Sequence, residues 1–365
     1  MASSSQSCSA VRNGWATRIK AKPMDEKRDL KSMDIEELGA FFRALGAPAY
    51  KAKQVFAWLH RGVGSFDEMT DQSKAFRAVL EEHALITRVQ TVRRLESVLD
   101  GTVKYLFALS DGECVETVMM RYSYGDSVCI STQAGCRMGC GFCASTLGGL
   151  HRSLAPSEML DQILAVTKDT GRKVSHVVLM GIGEPLDNYE NVVKFLHLLS
   201  CKGGLNMSLR HVSLSTCGLV DGIRRLMEEK LQLTLSVSLH APNDAIRSSI
   251  MPVNRKWGVN TLLAACRDYI EATGRRISFE YAMIDGVNDT PACAKELAAR
   301  LRGMLCHVNL IPANPVKERS YQKSPAEKVE RFRRLLAGFG LTVTVRRTLG
   351  ADIQASCGQL RQAAR

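Results

Sequence analysis

At 365 residues the chain is long enough for one large α/β domain and a smaller one, and 45% hydrophobic with 24% charged residues is an ordinary globular balance. No apolar run approaches the ~18 residues of a membrane helix and no basic-then-apolar leader is present, so no membrane partner and a reducing, cytoplasmic setting are expected, with the 12 cysteines as free thiols or metal ligands. The net charge of +12 gathers at the ends: Arg12, Arg18, Lys20 and Lys22 give +4 over residues 1–23, and eleven Lys/Arg against four Asp/Glu give +7 over residues 315–365. That balance suits a polyanion such as nucleic acid, and equally a solvated surface.

Residues 1–24 are Ser-rich and basic, and Met24 reads as an ordinary start, so they are expected to be a disordered tail or a gene-model extension. Residues 25–90 read as a small helical accessory domain, with Ser32 as a possible N-cap near Glu36 and Gly46 as a stop. Residues 91–126 hold alternating β-branched and aromatic residues around an Asp100–Gly101 turn and are expected to be linking β-strands. From 127 to 350 strand-like runs alternate with helical ones: DSVCIST, HVVLMG, HVSLST, LTLSVSLH, ISFEYAMI and HVNLIP, closed by LTVTVRR. Such βα repeats predict a parallel sheet with helices outside, either a partial (β/α)6 barrel or a doubly wound sheet. Residues 351–365 are a C-terminal tail.

In parallel α/β folds the loops after the strands carry the site. The first strand runs into AGCRMGCGFC, with Cys136, Cys140 and Cys143 spaced i, i+4, i+7 among glycines that let backbone wrap closely around a compact group. Three thiolates leave one iron of a four-iron cluster open to a small molecule. A zinc site completed by His151, or three unrelated thiols, remain open on spacing alone. GIGEP places Gly183 and Glu184 after the second strand, where a carboxylate can accept from an ammonium group. Ser215, Ser238 and Asn314 offer hydroxyl and amide groups to a ribose or amino acid, or simply cap their loops. His240 alone reads as a buried histidine, Cys129 as a small core residue, Glu116 as a surface carboxylate, and Cys357 as a thiol in a basic tail with nothing to bury it.

Together the cysteine spacing, the GxGEP motif and the partial-barrel periodicity resemble the radical S-adenosylmethionine (SAM) enzymes. SVCISTQAGCRMGCGFCASTLGG, LMGIGEPLDNY, VSLHAPND, NLIPANP and DIQASCGQL resemble, more narrowly, the RlmN-type adenine methyltransferases, over about Lys27 to Leu360. The resemblance implies a fold of a partial (β/α)6 radical SAM barrel with a small N-terminal helical domain. It implies a [4Fe-4S] cluster on Cys136, Cys140 and Cys143, and SAM held by Gly183, Glu184, Ser215, Ser238, Leu239, His240 and Asn314. The implied reaction is methylation of carbon 2 of adenosine in 23S rRNA, and in some members tRNA, at two SAM per turnover. Cys357 would carry the methyl group, Cys129 would form a transient disulfide with it, and Glu116 would accept the ring proton. The same resemblance implies a monomer supplied with electrons by a flavodoxin or ferredoxin, and the target base would have to leave its stack. Rival readings are a carbon-8 methyltransferase on the same scaffold and a non-catalytic metal protein that binds RNA.

Overall fold

The computed structural model describes residues 27–360; the expected tail at 1–24 and the last five residues lie outside them. The N-terminal part comprises β1 (Arg28–Asp29), α1 (Ile35–Ala44), α2 (Lys51–His60), α3 (Lys74–His83) and β2 (Ala84–Leu85). It is helical apart from a short parallel pairing of β1 with β2. The first cap is Asp34, not Ser32: its side chain accepts from Glu37 N–H while Glu37 accepts from Asp34 N–H. Ser32 instead ends a 3-10 turn and donates to Asp29. Asp34 wins because it can stand directly before the first helical residue with an acid three positions on. Leu38, Phe42, Phe56, Leu59 and Leu80 close a core of their own, completed by Leu198 from the neighbouring layer.

Ten strands then form one mixed sheet. β3 (Gln90–Glu96), β4 (Val103–Ala108), β5 (Cys114–Tyr122) and β6 (Gly125–Cys129) are antiparallel neighbours. A separate antiparallel pair, β7 (Gln133–Gly135) with β8 (Leu150–Ser153), frames the cysteine loop. α4 (Pro156–Thr170), β9 (Val174–Leu179), α5 (Tyr189–Ser200), β10 (Val212–Thr216), α6 (Val220–Glu228) and β11 (Thr234–Ser238) begin the βα alternation. α7 (Asp244–Ile250), α8 (Val259–Thr273), β12 (Ile277–Met283), α9 (Pro291–Leu301), β13 (Cys306–Pro312), α10 (Ala326–Gly338) and β14 (Val343–Val345) complete it. β6, β9, β10, β11, β12, β13 and β14 lie side by side in parallel, in chain order, as βα repeats require. The end signals are local: Pro156 and the Glu158 carboxylate at the start of α4, and left-handed Gly171 after it.

The two faces of the parallel strands differ in chemistry. Val177, Leu179, Leu214, Leu235, Val237, Phe279, Val308 and Leu310 pack into the main core beneath the helices. The alternate positions are polar and bonded to one another: Ser213 to Ser236 at 2.9 Å, Ser278 to Glu280 at 3.0 Å, and Asn309 to Glu280 at 2.8 Å. Layers of Val, Ile and Leu fill a closed eight-stranded barrel; this open one keeps a polar interior. The N-terminal part docks on the outer layer, where Lys31 Nζ donates to buried Asp161 at 2.5 Å and Lys194 pairs with Glu37 at 2.5 Å. Among the described residues no helix is long and apolar enough to cross a membrane.

Candidate active site

The loop after β6 is pinned on both sides. Gly135 has φ +77°, and a Cβ there would sit 2.0 Å from the Gly149 carbonyl, so the close crossing of β7 and β8 needs glycine. Cys136 N–H donates to Gly149 O at 2.7 Å and Gly141 N–H to Ile250 O at 2.9 Å. Cys136, Cys140 and Cys143 thereby line one wall of a hollow of about 1140 Å³ that opens to solvent. Burial pushes the Cys136 thiol up to about 12, and the Cys140 and Cys143 thiols rise for the same reason; the three also oppose one another's ionisation. A cationic centre reverses that penalty, so these buried soft donors around a common hollow fit an iron–sulfur cluster. His151, the fourth ligand of the zinc alternative, does not line the hollow with the three cysteines; its Nδ1 lies 3.0 Å from Glu113 Oε2.

The same hollow is lined by Gly183, Glu184, Ser215, Ser238, His240 and Asn314, six of the seven residues expected at the SAM site. Gly183 has φ +105° and would bring a Cβ to 2.6 Å from Gln133. Glu184 accepts at 2.7 Å from Cys217 N–H and at 3.0 Å from Leu186 N–H, and burial, the largest influence, raises its carboxyl. His240 adopts φ +56°. Its Nδ1 accepts from Ala282 N–H at 2.9 Å, and burial, then the Arg247 charge, lowers it to about 3. It is therefore a neutral imidazole with its proton on Nε2. Leu239, the seventh, does not line the hollow: its side chain is wholly buried in the main core.

Buried Arg247 holds this wall together. Its guanidinium donates to Leu239 O (3.0 Å), Cys217 O (2.6 Å), Ser238 O (3.1 Å) and Asn254 Oδ1 (3.0 Å), tying the ends of β10 and β11 to α7. Cys217 reads from sequence as an ordinary thiol, yet it is buried and lines the hollow. The signal was its place at the end of a parallel strand.

The C-terminal segment corrects a second expectation. Residues 346–360 are not a loose tail but a strap across the open side. Asp352 accepts from Ser97 at 2.7 Å, Asn314 Nδ2 donates to Cys357 O at 3.0 Å, Ala144 N–H to Gly358 O at 2.8 Å, and Ser145 to Leu360 O at 2.7 Å. Cys357 is half-buried and lines both the large hollow and a second one of about 520 Å³, which it shares with Cys129, Met180, Asn314 and Arg346. Burial, the largest influence, and then nearby Cys357 push the Cys129 thiol up to about 12. Arg346, which sequence reasoning missed, is held above its ordinary value chiefly by Cys357, and its Nη1 lies 3.9 Å from buried Glu280. Glu116 is not a surface carboxylate: it is buried and pairs with Lys104 at 2.7 Å. It lines neither hollow, but Lys104 also donates to Gln354 O at 3.1 Å, three residues before Cys357.

Known proteins resemble this chain over most of its length. Residues 130–294 match a model of the radical SAM superfamily, and residues 28–86 match a ribosomal RNA large subunit methyltransferase N-terminal domain. A probable dual-specificity RNA methyltransferase RlmN from Lachnoclostridium phytofermentans is 52% identical, over 92% of this chain and 95% of its own. One from Desulforamulus reducens is 50% identical, over 93% and 97%. The crystal structure of a radical SAM methyltransferase from Sphaerobacter thermophilus superposes with a TM-score of 0.88 at 43% identity, covering 91% of this chain and 99% of that one.

Proposed function

The chain belongs to the RlmN family of radical SAM RNA methyltransferases, and on that premise we propose that it methylates carbon 2 of adenosine in 23S rRNA and tRNA, with Cys357 carrying the methyl group. The family's cofactors are a [4Fe-4S] cluster and SAM. Cys136, Cys140 and Cys143 would hold the cluster, and the wall from Gly183 to Asn314 would hold SAM. When bound, these groups supply a carbon radical able to take hydrogen from an unactivated methyl group.

The observation that carries the reading is that Cys357 lines both hollows, one wall bearing the cysteine triplet and the other bearing Cys129. Carbon 2 of adenine is electron-poor and does not attack a sulfonium methyl directly, so a thiolate must take the methyl first. Burial keeps Cys129 protonated, which leaves half-buried Cys357 as the acceptor. Arg346 offsets negative charge at that sulfur. Cys357 loses its proton and forms the S–C bond as SAM leaves as its thioether. Its sulfur then presents the carbon to the base. Cys129, across the smaller hollow, gives up its proton as it attacks the Cys357 sulfur: the S–S bond forms as the S–C bond breaks, the freed carbon takes up a proton to complete the methyl group, and an external reductant reopens the disulfide. Glu116, held by Lys104, is assigned to accept the ring proton. A flavodoxin or ferredoxin as electron donor, a monomeric chain and a cytoplasmic setting complete the proposal.

Nucleoside mass spectrometry tests it. Large-subunit rRNA and tRNA made without modification would be incubated anaerobically with the reduced, reconstituted enzyme and SAM. Co-elution of the product with 2-methyladenosine is expected. An 8-methyladenosine product would move the chemistry to the other ring carbon, and no methylated nucleoside despite SAM cleavage would overturn the substrate.

A further inference from the structure

The motifs absorbed so far cluster at the C-terminal ends of the parallel strands. The opposite mouth of the barrel has its own composition. Lys173, Arg210 and Arg276 stand exposed just before β9, β10 and β12, while nearby Arg172 is engaged with Asp126 at 2.6 Å. Beside them runs a ladder of rings. Tyr122, which lines the smaller hollow with Cys129 and Cys357, stacks on Tyr124 with centroids 4.9 Å apart and planes 9° from parallel. Tyr124 meets His176 edge-on at 5.2 Å, and His176 meets His211 at 4.8 Å. His176 Nε2 and His211 Nδ1 are 3.1 Å apart, and burial followed by His211 lowers His176 below its ordinary value, which favours a neutral ring.

This arrangement is costly to explain as packing. Tyr124 is 64% exposed and His211 is exposed, so the outer rings bury little apolar area. A row of rings leading from a reaction hollow to solvent, flanked by exposed cations, has the make-up of a surface that stacks unpaired bases and neutralises phosphates.

We propose that the Tyr122–Tyr124–His176–His211 ladder is a stacking platform for single-stranded RNA, holding the nucleotide next to the target adenine so that the adenine enters through the N-terminal mouth of the barrel. The inference rests on the RNA substrate proposed above and adds the surface that receives it. Stacking on the exposed Tyr124 fixes the neighbour, and the unpaired adenine beside it reaches the hollow behind Tyr122.

The test uses the holoenzyme and an RNA stem–loop carrying 2-aminopurine beside the target adenosine. Wild type should quench the 2-aminopurine on binding. Tyr124→Ala should lose the quench and weaken binding about tenfold, the effect of removing one base–aromatic stack, whereas Tyr124→Trp should restore both. Unchanged cluster absorbance and thermal midpoint would show that the exposed substitution leaves the fold intact. A Tyr124→Ala enzyme that binds, quenches and methylates like wild type overturns the ladder and leaves the RNA reading standing. A wild-type enzyme that neither binds nor methylates RNA overturns the RNA reading, and the ladder with it.

Discussion

The two hollows are built in opposite ways. The larger takes its chemistry from segments that directly follow parallel strands: three cysteines within eight residues, then GIGEP, then the ends of β10 and β11. The smaller is assembled from parts distant in sequence: Cys129 in β6, Arg346 after β14, and Cys357 on the strap. Local construction makes the first recognisable as a motif and tolerant of change elsewhere. Long-range construction makes the second depend on every tie that holds the strap.

The difference predicts separable failures. The largest effect falls on the local site: Cys140→Ala should lose cluster iron and abolish SAM cleavage, read by iron content and by 5′-deoxyadenosine release, while the strap keeps its fold. Intact cleavage in that variant would break the assignment of the triplet. Next, Cys129→Ala should retain the cluster and SAM cleavage but stall with RNA covalently attached, visible as a protein–RNA band on a denaturing gel. Free RNA with normal turnover would remove Cys129 from the resolving role.

Two smaller effects sharpen the boundary. Arg346→Met removes the cation coupled to Cys357, so single-turnover methylation of Cys357 should slow by about tenfold, the equivalent of ~1.4 kcal/mol, with Arg346→Lys intermediate. Equal rates would show that the guanidinium serves Glu280 and Met180 rather than Cys357. Gly183→Ala forces a side chain into a left-handed backbone and against Gln133, a strain of about 1–2 kcal/mol. Calorimetric titration should show SAM affinity lower by up to about tenfold, with methyl transfer from bound SAM unaffected. A variant with unchanged affinity would place SAM away from that turn.

What could be read in the sequence follows the same division. The βα periodicity anticipated the parallel strands β6 and β9 to β14 in order, though not the β7–β8 pair, and the cysteine triplet, Glu184, Ser215, Ser238, His240 and Asn314 meet at one hollow because they lie at or just beyond strand ends on one side. Glu116 was misread because the alternation around it suggested a half-solvated strand, whereas β5 lies inside the sheet and is buried through most of its length. Cys357 appeared exposed because nothing near it in sequence forms a strand or helix to cover it. Its partners Asn314, Cys129 and Arg346 come from elsewhere. Arg247 and Cys217 were invisible for the same reason: a lone arginine in a short helix gives no sign that four acceptors converge on it. Ser32 lost to Asp34 on a purely local choice between two competent caps.

The measurement closest to the centre of the account is peptide mapping of the reconstituted holoenzyme after incubation with methyl-deuterated SAM. The account predicts the label on the peptide bearing Cys357, and its transfer to RNA adenosine once the enzyme is reduced. Labelled RNA with Cys357 never labelled, or label settling on Cys129 instead, would contradict it.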